Sequence, residues 1–260
     1  MKVIRCDLPY AEQIDVFLFG DLHTGDPLCA LREIRKTIEH ILKTDNAYCI
    51  LGGDLMDSAI KAAIGDIYGA SLQPMEQLRL CVELFKPLAE KGKILVIVPG
   101  NHEERIYKQD GIDTTALMAT QLGVANKYAN TSALVFIRFG KDTDHKRHGR
   151  PVLYTGYINH GSGGGKKPGA KVNRLNDLSD IVDADFYVHF HTHLPVVFRG
   201  SYFRVSGANS SVSQVDRLFL NGASALQYGG YGDRQAMQPT SNRSPVLHLS
   251  GTHREMWATL

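Results

Sequence analysis

At 260 residues, 43% of them hydrophobic and 22% charged, the chain has the makeup of a soluble globular protein able to bury a substantial core. A net charge of +2 excludes a global field strong enough to mark nucleic acid or membrane as a partner, so any such partner must be argued locally. The start, MKVIRCDLPY, lacks a signal-like apolar stretch, no segment reaches the ~20 apolar residues of a spanning helix, and the separated cysteines Cys6, Cys29, Cys49 and Cys81 read as buried thiols of a reducing compartment. A cytoplasmic protein without membrane contact is expected.

Residues 14–19 are a short apolar run ended by Gly20, which predicts a buried strand. Leu31, Ile34, Ile38 and Ile41 repeat at helical spacing and predict an amphipathic helix over 28–43. A second short strand is expected at 48–51, ended by Gly52 and Gly53. The spacing of Met75, Leu78, Val82, Phe85 and Leu88 predicts a helix over 71–90, with Ser71 as N-cap and Gly92 beyond its end. Residues 94–98 predict a third strand, stopped by Pro99-Gly100.

Alternation of strand and helix places this half in the α/β class. Beyond residue 133 strands dominate, at 133–139, 152–158, 186–190, 196–205 and 247–249, with one helix near 173–181. A second sheet packed on the first accommodates them, with the segment from Val196 closing it. One domain spanning 1–260 is expected. The polar, mostly basic 141–150 reads as a solvated hairpin tip, and 221–245, rich in Gly, Gln, Ser and Asn, as a long loop or lid.

The chain has eleven histidines. Scatter over surface and core accounts for His40, His145, His148, His248 and His253. The others fall where strands end, the edge at which open α/β sheets bind ligands. The first strand runs into Gly20-Asp21-Leu22-His23, the second into Gly53-Asp54-Leu55-Met56-Asp57, and the third into Gly100-Asn101-His102-Glu103. Later strands run into Asn159-His160 and into His189-Phe190-His191-Thr192-His193. Taken singly, each motif could be a helix cap, a turn or an ordinary hydrogen-bonded pair. Five at successive strand exits form a set of nitrogen and oxygen donors suited to divalent cations such as Mn²⁺, Fe or Zn²⁺.

In order and spacing these motifs resemble the calcineurin-like metallophosphoesterase family, with patterns D-x-H, G-D-x-x-D, G-N-H-E/D, an isolated His, and G-H-x-H. The likeness runs over residues 21–193, and it departs at Phe190, where the family usually has Gly. It implies an αββα sandwich of two mixed sheets flanked by helices, and two divalent metal ions, Mn²⁺ favoured. Asp21, His23 and His193 would hold one ion, Asn101, His160 and His191 the other, and Asp54 would bridge them. The implied reaction is attack of a metal-bridging hydroxide on phosphorus, with His102 protonating the leaving group. Asp57 and Glu103 would orient histidine or water, or serve as caps or surface residues. His189 is expected to be a core or orienting histidine.

After His160 comes a glycine-rich stretch carrying Lys166, Lys167 and Lys171, followed by Arg174. Such a loop lets backbone N–H groups and lysines approach a phosphate, although it lacks the Gly-Lys-Ser/Thr of a P-loop. Lys166 and Lys167 are therefore expected substrate contacts, and Tyr228, Tyr231 and Arg234 would add stacking and a phosphate contact. The favoured reading is a phosphodiesterase acting on DNA, RNA or a nucleotide. Its alternatives are a phosphomonoesterase or protein phosphatase, and a non-catalytic interaction scaffold. No apolar stripe marks a dimer face.

Overall fold

Two mixed β-sheets pack face to face and are flanked by helices, the fold of calcineurin-like phosphoesterases. The structure is a computed structural model and describes residues 1–60, 68–140, 151–163, 165 and 167–260, apart from the side chain of Tyr231. The basic stretch at 141–150 and Lys166 lie outside the described residues.

The first sheet has the order β11-β10-β2-β3-β4 and comprises β2 (Gln13–Phe19), β3 (Ala47–Leu51), β4 (Ile94–Ile97), β10 (Val246–Ser250) and β11 (Met256–Thr259). β2, β3 and β4 run parallel, with Phe19 beside Leu51 and Leu51 beside Ile97, so three strands end at one edge. Every residue of β3 is buried, as an unbroken apolar run requires when both sheet faces are covered.

The second sheet has the order β1-β5-β6-β7-β9-β8. Its strands are β1 (Lys2–Asp7), β5 (Ser132–Phe139), β6 (Val152–Asn159), β7 (Phe186–His189), β8 (Val196–Ser206) and β9 (Ser211–Asn221). β6, β7 and β9 are parallel and end level with one another, Ile158 beside Val188 and Val188 beside Leu220. The final two strands, β10 and β11, return to the first sheet instead of closing the second.

Ile14, Val16, Ile50, Val135, Ile137, Phe186 and Val188 lie in the core between the sheets. Helices α1 (Leu31–Lys43), α2 (Pro74–Glu90) and α4 (Thr114–Gln121) cover the outer face of the first sheet through Ile34, Ile38, Ile41, Phe85, Leu88 and Met118. Helix α5 (Pro168–Asn176) covers the second through Leu175.

Several local expectations are corrected. α1 begins at Leu31, because the Asp26 carboxylate accepts the Leu28 N–H and holds the preceding residues in a turn. α2 begins at Pro74 after the N-cap Gln73, whose N–H is accepted by the Glu76 carboxylate. Ser71 instead donates its hydroxyl to the Gly25 carbonyl. The buried face of α2 keeps Leu78, Phe85 and Leu88 of the expected set, but Met75 is exposed and Gln77, Cys81 and Leu84 are buried beside them.

Candidate metal centre

The exits of β2, β3 and β7 break sharply at chemically active residues. Asp21, His23, Asp54, His191 and His193 all have left-handed backbones, with φ between 49° and 63°. Non-glycine residues pay roughly 1–3 kcal/mol each for such strain, which persists only where the surroundings enforce it. The Asp21 N–H donates to the Gly53 carbonyl at 2.9 Å and the His23 N–H to the Asp54 carbonyl at 3.0 Å, locking the first two exits together. The Asp21 carbonyl accepts the Ala225 N–H and the Ser224 hydroxyl, both at 3.0 Å. Thus the start of the 221–245 segment is pinned beneath the site, and its later part carries the short α6 (Gly230–Arg234).

All seven residues expected to bind metal come together. Ligand atoms of Asp21, His23 and His193 lie within 4.8 Å of one another, as do those of Asp54, His160 and His191, and those of His23, Asp54 and His102. Asp54 therefore belongs to two groups. The Asn101 Oδ1 is 2.7 Å from the His191 Nδ1 and 3.2 Å from the His160 Nε2, which adds the amide oxygen to the second donor set.

The residues beneath the cluster aim it. His160 donates its Nδ1–H to the Gly52 carbonyl at 2.7 Å, which turns Nε2 toward Asp54 Oδ2 at 3.3 Å. The Asp21 carboxylate accepts the His191 N–H, and that of Asp54 accepts the His102 N–H. Glu103 is a buried clamp: one carboxylate oxygen accepts the N–H groups of Asp54 and Gly100, and the other that of Met56, each at 2.9 Å. The Asp57 carbonyl takes the Nδ1–H of His102 at 2.6 Å, and its carboxylate stands 3.3 Å from that nitrogen and 3.7 Å from the His23 Nδ1.

Charges within the cluster are strongly coupled. Burial works against the ionised forms of Asp21 and Asp54, yet the histidines around them hold both well below the usual carboxylate range. Burial also opposes a charged His160, but Asp54 and Asp21 outweigh it and lift that imidazole to about 10. His191 is lowered to about 4 by burial and by His160. Burial lowers His23.

A cation fits this arrangement. Asp21 Oδ1 is buried without a hydrogen-bond partner; the His193 Nε2 lies 3.2 Å away but is not aligned as a donor. The His23 and His193 Nε2 atoms face each other at 3.3 Å, an unfavourable opposition unless one holds a proton or a cation lies between such lone pairs. The donors are carboxylate, imidazole and amide, a set suited to borderline divalent metals.

His189 stays out of the cluster: it is buried and bonds Asn221 Oδ1 at 2.7 Å, while Asn221 donates to the Leu194 and Gly222 carbonyls. Phe190 is also buried. Its ring fills the space above Gly20, Gly52 and Gly222, where an added Cβ would overlap it. Lys167 is exposed at the N-cap of α5, whereas Lys171, one turn later, donates to the Thr192 carbonyl between His191 and His193. Tyr228 is half exposed. Arg105 was missed by sequence reasoning. It lies on α3 (Asn101–Asp110), where its Nη2 is 2.8 Å from the His102 Nε2; the i, i+3 spacing from His102 was the available signal.

An α/β sandwich whose strand exits gather buried nitrogen and oxygen donors defines a protein built for divalent-cation chemistry. The calcineurin-like phosphoesterase family matches residues 14–207, most of the chain, and the protein belongs to that family. Solved structures similar to it include a predicted phosphoesterase from Streptococcus pneumoniae TIGR4, 13% identical, covering 95% of this chain and 98% of that one at a TM-score of 0.36. A metallophosphoesterase from Sphaerobacter thermophilus is 14% identical, with 91% and 84% covered and a TM-score of 0.41. Zinc-complexed Vps29 from Entamoeba histolytica is 12% identical, with 95% and 97% covered and a TM-score of 0.38. No curated relative matches the chain. Among the described residues no helix is long and apolar enough to cross a membrane.

Proposed function

We propose that the protein is a dinuclear metal-dependent phosphodiesterase acting on a nucleic-acid or nucleotide substrate, with Mn²⁺ the favoured ion and Fe or Zn²⁺ the alternatives. The observation that carries this reading is that Asp54 shares one donor group with His160 and His191 and another with His23 and His102, so that it adjoins both proposed ligand sets. Asp21, His23 and His193 would hold one ion, Asn101, His160 and His191 the other, and Asp54 both. When bound, such ions supply Lewis acidity, drawing charge from phosphate oxygens and making water acidic enough to furnish a nucleophile near neutral pH.

The chain's own residues do the rest. Glu103 fixes the turn that carries Asp54, so the shared carboxylate keeps its place as charge shifts in the site. His102, held at Nδ1 by Asp57, presents Nε2 to the cluster, 3.8 Å from Asp54 Oδ2. Once Arg105 has moved off that nitrogen, Nε2 would take up a proton from water, forming an imidazolium that burial opposes but Asp57 and Asp54 favour, and would give that proton to the departing oxygen. Lys171 and Arg174 add positive potential after His160; among the described residues neither pairs with a carboxylate. That excess of cations favours a substrate with flanking phosphates over a small monoester. Four free thiols, three of them buried, accord with a cytoplasmic location.

The test is hydrolysis by the purified, Mn²⁺-loaded protein of bis(p-nitrophenyl) phosphate, p-nitrophenyl phosphate and single- and double-stranded DNA, with Asp54→Ala as the blank. Turnover of the diester and of DNA, lost in the variant, supports the proposal. Ready cleavage of the monoester with both diesters untouched contradicts it.

A further inference from the structure

Arg105 stands one helical turn after His102 on α3, partly buried at the rim of the cluster. Its Nη2 donates to the His102 Nε2 at 2.8 Å, and its Nη1 is 3.4 Å from the Asp57 carbonyl oxygen, a long contact. Among the described residues no carboxylate lies within ion-pair distance of it. The other described arginines with hydrogen-bonded guanidinium groups at the surface, Arg35, Arg138, Arg199, Arg204, Arg217 and Arg254, all pair with carboxylates. Arg105 instead spends its planar, permanently charged fork on one neutral imidazole nitrogen.

We infer that Arg105 is a substrate-phosphate contact, resting on His102 until an anionic phosphoryl oxygen displaces it. The inference depends on the phosphoesterase reading of the site. Hydrogen-bond chemistry fixes the resting state. The Asp57 carbonyl only accepts, so the His102 Nδ1 carries a hydrogen; the guanidinium only donates, so the His102 Nε2 offers its lone pair. A phosphate presents two anionic oxygens at the spacing of the guanidinium fork, and bidentate charge-assisted bonds are stronger than a single bond to a neutral acceptor. The exchange is therefore favourable. It also uncovers His102 Nε2, the nitrogen that faces Asp54 Oδ2. Phosphate capture and exposure of the imidazole become one event, which would keep His102 covered while no substrate is bound.

The experiment is calorimetric titration of Mn²⁺-loaded protein with inorganic phosphate for wild type, Arg105→Lys and Arg105→Met, with bound metal matched by elemental analysis. Bis(p-nitrophenyl) phosphate kinetics on the same samples give a second readout. Arg105→Met should weaken phosphate binding by roughly tenfold or more, the loss expected when a charge-assisted bidentate pair is removed, and raise KM, with metal content unchanged. Arg105→Lys should fall between, because it keeps the charge and loses the fork. Phosphate affinity in Arg105→Met within about twofold of wild type overturns the inference, as does a wild type that binds no phosphate. If the wild type binds phosphate but cleaves no ester, the proposed activity fails while the comparison of affinities still decides the role of Arg105.

Discussion

The Phe190 ring occupies the space that a side chain on Gly52 would need, so an aromatic residue and a glycine at neighbouring strand exits form one packing unit. Gly20 and Gly222 complete the slot around the same ring. Where the family usually places a glycine, this chain places its bulk just past the end of β7 and leaves the facing exits bare.

Two opposite substitutions test that unit. Phe190→Ala empties a fully buried slot and should cost about 3–5 kcal/mol of stability in urea unfolding. Gly52→Ala forces overlap with the ring and should cost about 1–3 kcal/mol. The double variant should be more stable than the sum of the two losses implies, because the smaller side chain at 190 relieves the clash. Strict additivity would mean that the two positions do not share one space.

Glu103 makes a different kind of prediction, since among the described residues its carboxylate forms no ion pair and instead receives three backbone N–H groups. Glu103→Gln turns one acceptor into a donor aimed at an N–H and should destabilise the fold by roughly 1.5–3 kcal/mol. Because the Asp54 turn hangs from it, affinity for Mn²⁺ should also fall by about 10–100-fold. Paired unfolding and metal titrations check both numbers. Unchanged metal affinity would show that the Asp54 turn holds itself.

Much of the site's frame was legible because buried parallel strands are short apolar runs with abrupt ends, and chemistry-bearing residues follow those ends directly. β2, β3 and β4 were visible for that reason. β1 and β9 were not, since KVIRCD and SVSQVDRLFLN mix charge with apolar residues on strands that are partly exposed. α3 was hidden too: NHEERIYKQD buries only Glu103 and Ile106, and its helical character comes from the clamp at its N-terminus. Sequence left Glu103 open between orienting histidine or water and serving as a cap or surface residue, because a buried carboxylate that holds three backbone N–H groups shows only in the fold. Arg105 escaped notice because the lack, among the described residues, of a carboxylate beside it is a property of the fold.

Away from the site, the Tyr128 hydroxyl donates to Asp113 Oδ2 at 2.5 Å, while Asp113 Oδ1 caps α4 by accepting the Ala116 N–H. Burial and the neighbouring Asp113 push the Tyr128 pKa above its ordinary value. The folded state thus holds the phenol proton more tightly than the unfolded chain. The contribution is fully present below the ordinary phenol value of about 10 and is lost as pH rises toward the higher folded value. Tyr128→Phe should be less stable near neutral pH by about 1 kcal/mol, and the gap should close in alkaline unfolding above pH ~10. A constant gap across that range would show that the phenol proton does not matter.

Metal stoichiometry tests the central claim most directly: the metal-free protein is reconstituted with Mn²⁺, freed of excess ion, and examined by elemental analysis and electron paramagnetic resonance. Two equivalents per chain with an exchange-coupled signal, the signature of ions held about 3.5–4 Å apart, are expected for wild type, and one equivalent or fewer for Asp54→Ala. A single uncoupled ion in the wild type, or two ions that Asp54→Ala leaves undisturbed, would contradict a shared carboxylate at the heart of the site.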